Sequence, residues 1–187
     1  MNTSDAPLPT PPGFPPQARA FDAEALAHAR GHWEGCFALA HLPRLAAACV
    51  GLAEDALLHW QADGETRAAG DGVPRPALRL QLACRLPLEC QRCLQPLEAD
   101  MAVDRHFIFA PDEDTAAQLD EECDDDVLAP LHGADLLTLM EDELLLALPP
   151  VPRHANCRTP VDAAGEPPPH PFAALAALKG NTNNATD

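Results

Sequence analysis

Cys90 and Cys93 lie two residues apart in the stretch Leu88–Leu97, and His154 and Cys157 repeat that spacing downstream. Thiols so placed either grip one soft metal ion or form a redox pair. Together the four side chains offer three sulfurs and an imidazole nitrogen, a donor set that tetrahedral zinc prefers. A redox pair normally opens a helix, whose N-terminal partial charge stabilises a thiolate. Leu94, Gln95 and Pro96 make a poor helix start, so the metal reading is the stronger of the two. A domain of this size has its own core and does not require the ion, and the plainer expectation is a metal site that is vestigial or absent. Cys84, Cys36 and Cys49 read as core thiols, since free cysteine behaves as a small hydrophobe. Cys123 sits among carboxylates, which blunts its reactivity.

Two other sets of residues bear on function. Asp112, Glu113, Asp114, Asp120, Glu121, Glu122, Asp124, Asp125 and Asp126 are numerous enough to suggest magnesium-dependent phosphodiester chemistry. Such sites usually draw their carboxylates from rigid elements. A contiguous acidic run reads instead as a solvated loop, or as a docking surface for a basic partner. Arg79, Arg85, Arg92 and Arg105 cluster near the Cys90–Cys93 turn and form the candidate contact for RNA phosphate or a partner. Their plainer reading is a solvated sheet face with local ion pairs. The sequence holds no nucleophile–base motif, phosphate loop, dinucleotide turn or H-E-x-x-H. It therefore reads as a non-enzyme with no small-molecule substrate; the alternatives are a metal-dependent nuclease that uses the acidic run and a small zinc-binding interaction module.

The elements that must position these residues follow from patterning. Leu78, Leu80, Leu82, Cys84 and Leu86 alternate with Arg79, Gln81 and Arg85, which predicts a strand. Met101, Val103, Arg105, Phe107 and Phe109 alternate with Ala102, Asp104, His106 and Ile108 in a second. The two are expected to pair antiparallel, with the Cys turn at their tip. Earlier strands are expected over His32–Leu42, with a bulge at Gly35, and over Ala56–Ala62, ended by a turn at Asp63–Gly64. Asp22 caps an expected helix over Ala23–Arg30, and Pro43 starts a short one. The main helix is expected over residues 134–148, capped by Asp135 and stopped by Pro149–Pro150, with Leu136, Leu139, Met140, Leu144 and Leu148 at helical spacing. The expected fold class is α+β: an antiparallel, partly closed β-sheet with a packed C-terminal helix and a disordered N-terminal arm. The chain divides into a Pro-rich arm over 1–20, a single domain over 21–157, and a tail over 158–187. That tail comprises a linker, a short docking helix carrying Phe172, Leu175 and Leu178, and a frayed end.

Composition narrows the partners. The net charge over 187 residues is −17, and Lys179 is the only lysine. Phosphate neutralisation supplies most non-specific affinity for nucleic acid, so general coating of RNA or DNA is excluded. A local arginine patch, or a basic protein partner, is compatible with this balance. No apolar run approaches a membrane span and no signal peptide is evident, so reduced thiols and a cytoplasmic location are expected.

The order of the segments resembles the YceD family, the large ribosomal RNA subunit accumulation proteins. Four stretches carry the likeness. They are Trp33-Glu34-Gly35 with Leu42–Leu45; the C-x-R-C-L-x-P signature within Leu88–Leu97; Leu136–Pro152 with His154 and Cys157; and the P-F-x-x-L-x-x-L-K pattern within His170–Lys179. The resemblance implies a bacterial cytoplasmic factor needed for 23S ribosomal RNA to be made, processed or kept stable, with no catalytic activity. It implies ribosomal proteins, rRNA-processing machinery or pre-ribosomal RNA as partners, and no membrane. Other branches of the family carry more C-terminal cysteines, suggestive of a zinc clasp. Here the downstream half retains His154 and Cys157. The long N-terminal arm and the expanded acidic stretch lie outside the shared pattern.

Overall fold

The computed structural model describes residues 8–123 and 125–159, so the expected C-terminal helix lies outside the described residues. Seven strands and four α-helices follow in the order β1 (Phe21–Asp22), α1 (Ala23–Ala29), β2 (His32–Ala38), α2 (Pro43–Ala48), β3 (Leu57–Ala68), β4 (Pro74–Glu89), β5 (Pro96–Phe109), α3 (Glu113–Asp120), β6 (Asp126–Leu128), β7 (His132–Ala134) and α4 (Leu136–Leu146). Five strands form one sheet in the order β2-β3-β4-β5-β6, and β1 pairs with β7 in a small ribbon. The architecture is the α+β one expected. The large sheet has two distinct edges, and its last pair, β5 with β6, is parallel while the others are antiparallel.

The β4–β5 hairpin is the spine of the domain. Its alternation sends Leu78, Leu80, Leu82, Leu86, Leu88, Met101, Val103 and Phe107 into the core. Each such side chain, fully buried, contributes about 1.5–3 kcal/mol. The α4 residues Leu136, Leu137, Met140 and Leu144 pack into the same cluster, with Leu39, Leu42 and Leu45 from the stretch around α2. Asp135 caps α4 by accepting from the Leu137 N–H, as expected from its position.

Residues 8–20 are packed onto the domain even though the arm is rich in proline. Phe14 lies against Phe37 and Trp60, and Ala18 is fully enclosed. Three further expectations are corrected. The acidic stretch is not a loop throughout, because Asp112 accepts from the Thr115 N–H and caps α3. Leu119 and Ala116 of α3 then cover Ile108 and Ala77 on the opposite face of the sheet from α4. Gly35 is no bulge: it pairs in register with Trp60, and a Cβ there would stand 3.3 Å from the indole nitrogen.

The third correction concerns Asp63–Gly64, which is not a turn. β3 runs on to Ala68, and Gly64 lies inside it because α1 presses on the strand there. A Cβ at Gly64 would sit 2.4 Å from the Leu26 carbonyl oxygen, a backbone atom with little freedom to yield. Gly64→Ala is therefore expected to cost about 1–3 kcal/mol by overpacking, read as a lower urea midpoint with an unchanged slope. An unaltered midpoint would mean that α1 is not clamped on β3.

Candidate metal centre

The hairpin tip presents two of the ligands. Between Glu89 and Pro96 the chain closes through Cys90 N–H to Gln95 O at 3.0 Å and Leu94 N–H to Cys90 O at 2.9 Å. Leu94 takes a left-handed backbone (φ 59°), a conformation that a side chain disfavours by about 1–2 kcal/mol. The reversal places the Cys90 and Cys93 thiols on one side of the tip. The other two ligands arrive on the segment after α4. Its Pro152 carbonyl accepts from the Gln91 N–H at 2.9 Å, docking the two loops backbone to backbone.

The four expected residues meet. One ligand atom from each of Cys90, Cys93, His154 and Cys157 lies within 4.8 Å of all the others. Cys90 Sγ stands 3.7 Å from Cys157 Sγ, and Cys93 Sγ stands 3.4 Å from His154 Nδ1. Zinc bonds of about 2.3 Å to sulfur and about 2.0–2.1 Å to nitrogen require tetrahedron edges of about 3.6–3.8 Å. The two separations match that figure to within a few tenths of an ångström. His154 Nε2 lies 3.1 Å from the Pro96 carbonyl oxygen. A proton donated there leaves Nδ1 with a free lone pair aimed at the thiols, the outer-shell contact that fixes a metal-binding tautomer.

The electrostatics suit a cation. Burial opposes ionisation of the Cys90 thiol, but the backbone N–H groups of Cys93, His154 and Arg92, together with the Cys93 thiol, outweigh it and pull Cys90 down to about 5. Burial pushes the Cys157 thiol up, and the nearby Cys90 and Cys93 sulfurs push it further. Three sulfurs gathered so closely resist full ionisation together, and a divalent ion removes that resistance. The residues therefore fit structural zinc by donor type and spacing.

The other cysteines fall elsewhere. Cys84 packs partly buried against the core and burial raises its thiol to about 11, while Cys49 lies beside the same core. Cys36 is not a core thiol; it is exposed on the outer face of β2, because the neighbouring Phe37 takes the inward position.

The acidic stretch gathers no metal-binding cluster among the described residues, where the Cys/His set is the one group found. Its carboxylates are used locally. Asp112 caps α3, Asp120 accepts from the Val127 N–H, Asp125 pairs with Arg67, and Asp126 pairs with Arg105. Of the four candidate arginines, Arg79 pairs with Asp104 at 2.7 Å and Arg85 with Asp100 at 2.8 Å. Arg105 lies between Asp126 and Glu143. Arg92, between the two tip cysteines, makes a long contact of 3.5 Å to the Cys157 carbonyl and forms no ion pair among the described residues. Sequence reasoning missed Arg153 and Arg158, which flank His154 and Cys157 and are also exposed. Their adjacency to the ligands was the available signal. Among the described residues, no helix is long and apolar enough to cross a membrane.

Comparison with known proteins identifies the family. The family model described as large ribosomal RNA subunit accumulation protein YceD matches residues 78–179, more than half of the chain. A curated relative from Haemophilus influenzae, named large ribosomal RNA subunit accumulation protein YceD, is 29% identical over 165 residues, covering 82% of this chain and 90% of the relative. No solved structure gives a significant match. The matched region runs from Leu78 in β4 past Cys157 and takes in both halves of the candidate ligand set, and on that match the chain belongs to the YceD family.

Proposed function

We propose that this protein is a non-enzymatic accessory factor that supports accumulation of large-subunit (23S) ribosomal RNA in the cytoplasm. It acts as a docking scaffold whose tip is fixed by one zinc ion on Cys90, Cys93, His154 and Cys157. When bound, the metal supplies a crosslink between the hairpin and the segment after α4 and no reactive position, since four protein ligands fill a tetrahedron. The observation that carries this reading is the convergence of those four ligand atoms within 4.8 Å in a chain of this family. The acidic end of the molecule offers a surface to basic ribosomal proteins or to an rRNA-processing enzyme.

Depletion of the protein, followed by sedimentation of ribosomal particles, tests the role. Large subunits are expected to fall relative to small ones, with precursor 23S RNA accumulating or being degraded. A normal ratio would remove the reading. Incubation of the pure protein with magnesium and labelled precursor RNA tests the absence of catalysis, and the RNA is expected to stay intact.

A further inference from the structure

The chain carries eleven arginines, all within the described residues. Seven of them, Arg19, Arg44, Arg67, Arg75, Arg79, Arg85 and Arg105, form ion pairs with carboxylates. The other four are Arg30, Arg92, Arg153 and Arg158. Arg30 ends α1, away from the tip. The remaining three are each the direct chain neighbour of a ligand: Arg92 before Cys93, Arg153 before His154 and Arg158 after Cys157. All three are exposed. Among the described residues, most arginines are therefore ion-paired, and three that are not lie together at one place.

We propose that this knuckle is an RNA contact in which Arg92, Arg153 and Arg158 bind backbone phosphates, and that the contact forms only while the metal holds the two loops together. The proposal rests on the zinc-scaffold reading above and adds to it a partner and a surface.

Charge segregation supports it. The acidic stretch sits at the far end of the same hairpin, where β6 pairs with Phe107–Phe109 and Asp125 meets Arg67 at the end of β3. At the strand rise of about 3.4 Å per residue, that end lies roughly 40 Å from Pro96. Charges so far apart are screened from each other at physiological salt, where the Debye length is about 8 Å. The strongly negative total therefore does not govern what the tip meets. Zinc with three thiolates and a neutral imidazole carries one net negative charge, which three guanidinium groups outweigh. Glu89, at the root of the tip, is exposed and offsets part of the surplus; Glu98 lies further along β5, and Asp100 is already paired with Arg85.

Arginine favours phosphate because its planar fork donates two parallel hydrogen bonds to one oxyanion group. The metal matters because Arg92 belongs to one loop, while Arg153 and Arg158 belong to the other. Without the ion, the described bonds joining the loops around the ligands reduce to a few: Gln91 N–H to Pro152 O, His154 to Pro96 O, the long Arg92 contact to Cys157 O and the weak sulfur contacts.

The test uses the zinc-loaded full chain and a fluorescein-labelled single-stranded RNA of mixed sequence, followed by anisotropy across a range of potassium chloride concentrations. Three phosphate contacts on single-stranded RNA give a slope of log K against log salt of about −2. The triple variant Arg92→Glu, Arg153→Glu, Arg158→Glu is expected to weaken binding about tenfold or more at low salt. Arg30→Glu, the other exposed arginine without an ion pair, is expected to leave it unchanged. Stripping zinc with a chelator should weaken binding as much as the triple variant does. Zinc content and melting temperature are measured on each variant, so that loss of the metal centre is not mistaken for loss of a contact. Unchanged RNA affinity in a zinc-replete triple variant would overturn the proposal, as would preferential binding of an acidic peptide over RNA. A triple variant that loses RNA affinity yet restores the normal subunit ratio in depleted cells would overturn RNA contact as the working function of the tip while leaving the scaffold role standing.

Discussion

Cys93→Ser is expected to lose stoichiometric zinc while keeping the β-sheet. Structural zinc in small fingers carries an apparent binding free energy of about 10–16 kcal/mol, and such units unfold without it. This domain differs because Leu78, Leu80, Leu86, Phe107, Leu137 and Leu144 build a core that does not touch the ion. The loss should therefore be local. The tip from Cys90 to Gln95 and the segment from Pro149 to Thr159 come apart, while the strands hold. Hydrogen exchange checks this: the Gln91 and His154 amides, which now donate to Pro152 O and Cys90 Sγ, should lose protection. The Leu80 and Phe107 amides should keep theirs. Limited proteolysis should cut first after the end of α4. A variant that keeps its zinc, or one that unfolds globally, would each contradict this division between core and clasp.

Glu141→Ala is expected to be the most damaging single change on α4. Glu141 is fully buried, yet it points away from the leucine face toward α2. One carboxylate oxygen accepts from the Arg44 N–H at 2.7 Å and the Leu45 N–H at 3.3 Å, and the other accepts from Arg44 Nε at 2.7 Å. Helix α2 has no capping side chain of its own, since Leu42 precedes it, so a residue 97 positions away satisfies its first turn. Removing the carboxylate orphans a buried N–H and releases the guanidinium. Breaking a fully buried pair costs about 3–5 kcal/mol. Because Arg44 is about half exposed, water recovers part of that, and about 2–3 kcal/mol remains. For a chain of this length the melting temperature should fall by about 5–10 °C. Arg44→Ala should cost less, because the two N–H bonds survive. Equal costs for the two substitutions would show that the ion pair, and not the cap, holds α2 to α4.

The sequence reveals those features whose cause is local. The alternation along β4 and β5 needs nothing beyond residues 78–109, and the pairing of Arg85 opposite Asp100 follows once the Cys turn is placed at the tip. Asp22 and Asp135 lie next to the helices they cap. The misreadings share a non-local cause. Gly64 resembles a turn residue until α1 is laid across it, when close approach of the Leu26 carbonyl becomes the reason for glycine. Charge density hid α3, although Asp112 three residues before Thr115 is an ordinary capping signal. β6 is three residues long and pairs parallel, so it leaves no periodicity to detect.

The four candidate ligands were legible because spacing names them, but nothing local shows that His154 returns to the hairpin. The ion pairs that neutralise Arg67 and Arg105 come from Asp125 and Asp126 on a different element. Without them the arginines could be grouped only by proximity in sequence. The arginines left bare at the tip become distinguishable only when the paired ones are subtracted.

Zinc-edge X-ray absorption on protein purified without chelators tests the central claim most directly. About one zinc per chain is expected, with three sulfur scatterers near 2.3 Å and one nitrogen near 2.0–2.1 Å. A protein free of zinc, or a shell of oxygen and nitrogen without sulfur, would contradict it.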